Sequence, residues 1–329
     1  MDLVVGLVFL AIFALFSPPL GAKGLPANGL SYDYYHKTCP QVEKIVRDSM
    51  NAFSSVDPNT TAAILRLVFH DCQVGGCDGS VLLNIKDPQH QAEMDSPKNF
   101  GIRRREVIDE IKSKIEAACP QLVSCADILV LAARDAVAIA GGPTINVPLG
   151  RRDTTVPHSR QEADVGLPRN EVNLTKATQV LSQEVGITLE ETAAILGAHT
   201  LGVTHCDGLM ERLYQNGTVL PPGSEAEFVK YLKKVCPEGG QGRFTTTFNL
   251  DPTPRTFDNK YYVNGLNGHG LIALDAEMSR DPRSVNIFKK FASDQDAFFK
   301  VFSSAFVKIT TLGVLTGDKG VIRTKCSVL

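Results

Sequence analysis

Apolar positions in residues 60–72, TTAAILRLVFHDC, run nearly all round a helical wheel, as in a helix buried at the centre of a fold. Residues 105–119, REVIDEIKSKIEAAC, are two-sided instead. Val107, Ile108, Ile111 and Ile115 share one face and charges take the other. The stretch SCADILVLAARDAVAIAGGP opens on Ser124 with Asp127 three residues later, close to a capping box, and stops at Gly141-Gly142-Pro143. TLEETAAILGAHT carries a full box, with Thr188 as cap and Glu191 at the third helical position. Two further helices are predicted, from about Asp258 to Asn267 and from about Asp294 to Thr311. Strand signals are few and short, and there is no internal repeat. Residues 141–170 are rich in Pro, Gly and Arg and read as a hinge. The pattern predicts a mainly α protein of enzyme size.

The first residues change the setting. An apolar run from Leu3 to Phe16 is too short to span a bilayer comfortably, and Pro18, Pro19, Gly21 and Ala22 follow it. Residues 1–22 read as a signal peptide, although Asp2 stands where a base is usual; an uncleaved anchor is the alternative. No later segment has membrane-spanning length, so no membrane contact is expected after cleavage. Eight cysteines behind such a segment imply a disulfide framework, whose connectivity spacing alone leaves open. Sequons at Asn59, Asn173 and Asn216 agree with secretion. The 329 residues carry 34 basic and 36 acidic side chains without a basic stripe, which argues against a nucleic-acid partner.

Candidate chemistry concentrates in LRLVFHDCQVGGCDGSVLL, residues 65–83. Three readings are open: a disulfide-braced turn, a metal site, or half of an active site. Arg66 and His70 are four apart and share a helix face. An imidazole beside a fixed guanidinium can take a proton and stabilise developing negative charge. The bland alternative is a core histidine with an arginine that reaches water. Asp71, Gly75, Gly76, Asp78 and Ser80 could supply oxygen ligands to Ca²⁺, or form a solvated acidic turn. Cys72 and Cys77 could join His70 on zinc, though a secreted setting favours their oxidation. His199 closes the Thr188 helix on the side of Ile195 and Leu196. A buried imidazole there needs a partner, for which Asp275 is a candidate. His36, His90, His158, His205 and His269 read as surface or structural.

Together the motifs resemble the secreted plant haem peroxidases of class III, over nearly the whole mature chain. They are YYHKTCP, LRLVFHDC, GCDGSVLL, VSCADILVLAARDAV, GGPTINVPLGRRD, LGAHTLGVTHC, FDNKYY and GVIRTKC. The resemblance implies an all-α haem peroxidase fold with minimal β structure in residues 23–329. Its distal half would take about 23–170 plus about 305–329, and its proximal half about 171–304, with one haem b between. It implies reduction of H₂O₂ and one-electron oxidation of phenolic donors through high-valent iron. His70 matches the distal acid–base, Arg66 the distal arginine and Asn99 the residue that orients His70. His199 matches the axial ligand, Asp275 its partner, and Pro168 the donor site.

Two Ca²⁺ sites are implied. The first takes Asp71, Val74, Gly76, Asp78 and Ser80, with Glu93 linked through water. The second takes Thr200, Asp251, Thr253, Thr256 and Asp258. The implied disulfides are Cys39–Cys119, Cys72–Cys77, Cys125–Cys326 and Cys206–Cys236, and Asp127 and Arg151 would form a buried ion pair. A monomer is expected, outside the cell in the apoplast or wall rather than the vacuole. Lignification, wall cross-linking and stress response all remain open as roles.

Several positions depart from the family pattern. Gln73 replaces an aromatic residue, Arg103-Arg104-Arg105 stands where RGF is usual, and there is no tryptophan. LDPTPRTFDN is one residue shorter between Asp251 and Asp258 than is common. The arginine run leaves a second reading, a wall-polysaccharide binder without turnover. An intracellular, ascorbate-using haem peroxidase is a third, which the signal peptide and cysteines oppose.

Overall fold

The computed structural model describes residues 29–85, 91–168, 174, 175, 177–179, 186–214 and 224–329. The signal peptide, His90, and the sequons at Asn173 and Asn216 lie outside these residues. Helices dominate: α1 (Val42–Val56), α2 (Thr60–Cys72), α3 (Arg105–Ala118), α4 (Cys125–Ile139), α5 (Arg160–Gly166) and α6 (Leu189–Leu196). They continue as α7 (Met210–Tyr214), α8 (Ser224–Val235), α9 (Lys260–Leu266), α10 (Ala273–Met278), α11 (Val285–Ser293) and α12 (Gln295–Thr310). Among the described residues the only sheet is two-stranded: β1 (Val203–His205) runs antiparallel to β2 (Thr247–Asn249), with His205 opposite Thr247.

The core follows the apolar pattern. α4 buries every residue from Cys125 to Val137, and α2 packs across it. α3 turns Val107, Ile108, Ile111 and Ile115 inward, as its two-sided sequence requires. Phe257, Tyr262, Phe291, Phe298 and Phe302 interlock under α6. Burying each such ring stabilises the fold by about 1.5–3 kcal/mol. Thr188 caps α6 through the predicted box: its Oγ1 accepts from Glu191 N, and Glu191 Oε2 accepts from Thr188 N at 2.7 Å. Ser124 caps α4, but Asp127 does not return to the cap. Its carboxylate accepts from Arg151 Nη1 at 2.8 Å, from Gly150 N and from Tyr35 Oη.

The expected hinge is instead a pinned strap. Arg151 is fully buried and also donates to Thr310 O. Asp153 accepts from the N–H groups of Cys125, Ala126 and Arg323. Residues 160–166 form α5, capped by Ser159. Buried polar partners, invisible to a composition count, convert a Pro/Gly-rich stretch into a fixed one. The disulfides pair Cys39 with Cys119, Cys72 with Cys77, Cys125 with Cys326 and Cys206 with Cys236. Among the described residues no helix is long and apolar enough to cross a membrane.

Candidate active site

α2 delivers Arg66 and His70 one helical turn apart, so both face the same space. His70 Nδ1 lies 2.6 Å from Asn99 Oδ1, and Asn99 Nδ2 donates to Glu93 O at 2.7 Å. That second bond fixes which way the amide points. Oδ1 is therefore the acceptor, and His70 must carry its proton on Nδ1. The Nε2 lone pair is left facing Arg66, whose Nε donates to it at 3.1 Å. Arg66 is held in turn by Phe100 O at 3.0 Å and Lys98 O at 3.2 Å.

Arg66 keeps an exposed face and His70 is half-buried. Burial, then the charge of Arg66, lowers the His70 pKa to about 3, while the Asn99 bond opposes this. His70 is thus a neutral imidazole at any physiological pH. Burial lowers the Arg66 pKa to about 10, which leaves it charged near neutrality.

His199 sits on a tight 3₁₀ turn, Gly197–Thr200, beyond the end of α6 rather than on the helix itself. Its Nδ1 lies 3.1 Å from both oxygens of Asp275, a buried residue of α10. Tyr261 Oη donates to Asp275 Oδ1 at 2.9 Å. Nothing local in FDNKYY distinguishes Tyr261 from Tyr262. Only the contact across the fold gives Tyr261 its part. With Nδ1 engaged, His199 presents Nε2 alone to a ligand.

Beyond His70, Asp71, Asp78 and Glu93 crowd together. Asp71 accepts from Gly79 N at 3.0 Å and Asp78 from Ser80 N at 3.0 Å, but both Glu93 oxygens are buried without a hydrogen-bond partner. Burial, then Asp78 and Glu93, holds the Asp71 pKa well up; burial raises that of Glu93 to about 7. Like charges buried together raise one another's pKa values, yet among the described residues no three or more acidic, histidine or cysteine side chains are grouped closely enough to hold a metal ion by themselves. Val74 is buried beside them, and Gly75, at φ 77°, admits His158, which a Cβ there would strike. His158 Nε2 lies 3.3 Å from Asp78 Oδ2, so it belongs to this cluster and is not a bystander. Cys72 and Cys77 are joined to each other, which removes both sulfurs as zinc ligands.

The second set also converges. Thr200 Oγ1 donates to Asp251 Oδ2 at 2.6 Å and lies 3.2 Å from Asp258 Oδ1 and 3.4 Å from Thr256 O. Thr253 reaches Asp251 and Asp258. The short loop therefore still gathers all five residues. Burial raises the Asp251 pKa to about 6.

Pro168 is half-buried at the end of a loop fastened by Lys98, whose Nζ donates to Asp164 O and Leu167 O. Lys98 was not foreseen. It is the neighbour of Asn99 and ties the end of α5 to the turn that carries Asn99. Two of the three arginines in the run are engaged, while Arg103 is exposed. Arg104 pairs with Asp57, and Arg105 Nη1 lies 3.2 Å from both Val81 O and Leu83 O. Ile145, in the segment where the family's tryptophan is expected, is buried in the core, and Gln73 is buried at the end of α2.

The peroxidase family model matches residues 42–294. The chain is 46% identical to Peroxidase 29 of Arabidopsis thaliana, over 97% of this chain and 94% of that protein. It is 39% identical to Peroxidase 15 of Ipomoea batatas, over 96% and 95% of the two chains. It is 38% identical to the cationic peroxidase SPC4 of Sorghum bicolor, over 94% and 83%.

Proposed function

We propose, from the premise that the chain belongs to the peroxidase family in its plant class III branch, that Arg66, His70, Asn99 and His199 carry its reaction and that its donors are small phenols. The enzyme is a haem peroxidase that uses H₂O₂. The residues present fit the cofactor: His199 has one free nitrogen, and a buried carboxylate holds the other in place. When bound, haem supplies the redox chemistry, taking two oxidising equivalents from peroxide and passing them to donors one electron at a time.

The chain's own part is proton and charge management. His70 Nε2 accepts the proton of one peroxide oxygen and delivers it to the other as that oxygen leaves as water. Arg66 stabilises the negative charge that builds while the O–O bond breaks. Asn99 keeps the lone pair on Nε2. Asp275, with Tyr261 behind it, orients His199 and raises its basicity. The Asp71 and Asp251 groups would hold Ca²⁺, which would brace the segments that follow His70 and His199. Pro168 borders the donor site, and the protein acts outside the cell as a monomer.

The observation that carries this reading is the Glu93–Asn99–His70–Arg66 chain, which leaves a neutral base beside a fixed cation. The test is the visible spectrum of the secreted, haem-loaded protein before and after one equivalent of H₂O₂. A Soret band that falls and shifts within seconds supports it. A Soret band indifferent to peroxide refutes the roles given to His70 and Arg66.

A further inference from the structure

Asp275 stands on a helix too short to place it alone. α10 has six residues, and no side chain caps its N-terminus. A helix of that length is held by its surroundings and not by its own turns. The segment that leads into it, residues 270–272, is buried, and the carbonyl groups of Gly270 and Leu271 need donors there.

Arg212 of α7 supplies them. Its Nη1 donates to Gly270 O and to Leu271 O, the latter at 2.5 Å. Its Nη2 donates to Glu225 Oε1 of α8 at 3.0 Å. The same Glu225 oxygen lies 2.5 Å from Arg280 Nη1, just past the other end of α10. One carboxylate thus joins the chain before α10 to the chain after it. The Arg212 and Glu225 side chains are only 6% and 12% exposed, so water competes little with their pairing. Arg280 forms the exposed end of the bridge.

The grip bears directly on Asp275. A Cβ built on Gly270 would stand 3.0 Å from Ala276 N and 3.3 Å from the Asp275 carbonyl carbon. The backbone that Arg212 holds therefore lies against the backbone of Asp275 itself. Leu271 and Ile272 share a small apolar core with Leu213 of α7 and with Val229 and Leu232 of α8. Burial lowers the Arg212 pKa, and the charges of Glu225 and Asp275 oppose this. The guanidinium is thus within electrostatic reach of the carboxylate that meets His199.

We propose that Arg212 is a positioning residue for the proximal pair: through Gly270, Leu271 and the Glu225–Arg280 bridge it holds Asp275 where both carboxylate oxygens meet His199 Nδ1. The proposal rests on the reading of His199 as axial ligand and adds what sets how strongly Asp275 pulls on it. An arginine fork serves two carbonyls and a carboxylate at once. A lysine, a point charge on a flexible stem, does not.

The experiment replaces Arg212 by lysine, which keeps the charge and removes the fork. On the haem-loaded protein it reads the Fe(III)/Fe(II) potential by spectroelectrochemical titration and the Fe(II)–His stretching frequency by resonance Raman. A slackened Asp275 gives His199 less imidazolate character, which favours Fe(II). Arg212→Lys is expected to shift the Fe(III)/Fe(II) equilibrium about 3- to 10-fold toward Fe(II), the worth of one hydrogen bond, a rise of about 30–60 mV, and to lower the stretching frequency. Arg280→Gln, at the exposed end of the bridge, should move both in the same sense. An unchanged or lowered potential in Arg212→Lys overturns the proposal and leaves the axial role of His199 intact. Where that variant does not fold, Arg280→Gln decides, and a wild-type potential and stretch there overturn it. If the wild type binds no haem through His199, the axial reading fails. The proton NMR shift of His199 Nδ1–H then decides the clamp alone: upfield movement in Arg212→Lys upholds it, and no movement overturns it.

Discussion

Replacing Asn99 tests the proton-placing chain most directly. Asn99→Val removes the acceptor of the His70 Nδ1 proton and leaves that N–H buried without a partner. The bond is 2.6 Å long and inside the protein, so its loss costs about 1–3 kcal/mol. Part of that cost is relieved when the imidazole switches tautomer, which puts the proton on Nε2 and blocks the base. At 1.36 kcal/mol per decade the reaction with peroxide should slow by about 10- to 100-fold. The assay is the stopped-flow second-order rate with H₂O₂ as a function of pH.

The sign of the pH effect separates this cause from general damage. His70 works as the neutral imidazole, so activity is lost as pH falls through its pKa. With that pKa near 3, the wild-type rate should be flat from pH 7 to about 4. The Asn99 bond raises the His70 pKa, so Asn99→Val should slow the reaction without moving the acid limb upward. Asn99→Asp places a negative charge on the same atom and should carry the acid limb toward neutral pH. A wild-type rate in Asn99→Val, or an Asn99→Asp profile that coincides with the wild type, would refute the reasoning.

His199→Ala should abolish stable haem retention, read as loss of the Soret band on gel filtration of protein refolded with haem; an unchanged band denies the axial role. Tyr261→Phe removes a donor from Asp275, makes the carboxylate a stronger acceptor for His199, and should lower the Fe(III)/Fe(II) potential by up to about 60 mV; a rise in spectroelectrochemical titration contradicts it. Stripping Ca²⁺ should destabilise the protein in a pH-dependent way. The Glu93 pKa is raised from 4.5 to about 7 in the fold, so the metal-free fold holds a proton that the unfolded chain releases, and stability falls as pH rises through that window by about 3 kcal/mol at most. Denaturant melts with and without EGTA at pH 5 and 7.5 check this, and a metal-free protein that is more stable at pH 7.5 refutes it. Asp127→Ala leaves Arg151 buried without its carboxylate and should cost about 3–5 kcal/mol, measured as a lowered urea midpoint.

What could be read from the sequence followed short range. Helix α2 and the buried face of α3 appear where periodicity places them. The Thr188 box does too, because each is decided within a few turns. A spacing of four puts Arg66 and His70 on one face but does not by itself separate a catalytic pair from a core histidine beside an arginine that reaches water. Residues whose part depends on a distant partner are not legible even that far. Tyr261 matters through Asp275, Lys98 through Asp164 and Leu167, and His158 through Asp78. Each pair lies far enough apart in the chain that no periodicity joins them. The supposed hinge failed for the same reason: the partners that fix Arg151 and Asp153 include Thr310 and Arg323, near the other end of the chain. Asp275 is expected as a partner for His199 because a buried imidazole needs one, yet no local signal joins residues 76 positions apart.

The bridge between Cys125 and Cys326 sets an order of events during synthesis. Its two halves are 201 residues apart. A chain that enters an oxidising compartment N-terminus first presents Cys39, Cys72, Cys77 and Cys119 early, and these four can pair among themselves. Cys125 must then wait as a free thiol through the delivery of both Cys206 and Cys236, only six positions from Cys119, a tempting wrong partner. The helix that begins at Cys125 is buried at every residue as far as Val137. Its N-terminal staple closes only once Cys326 has been delivered, so α4 is packed before it is tied.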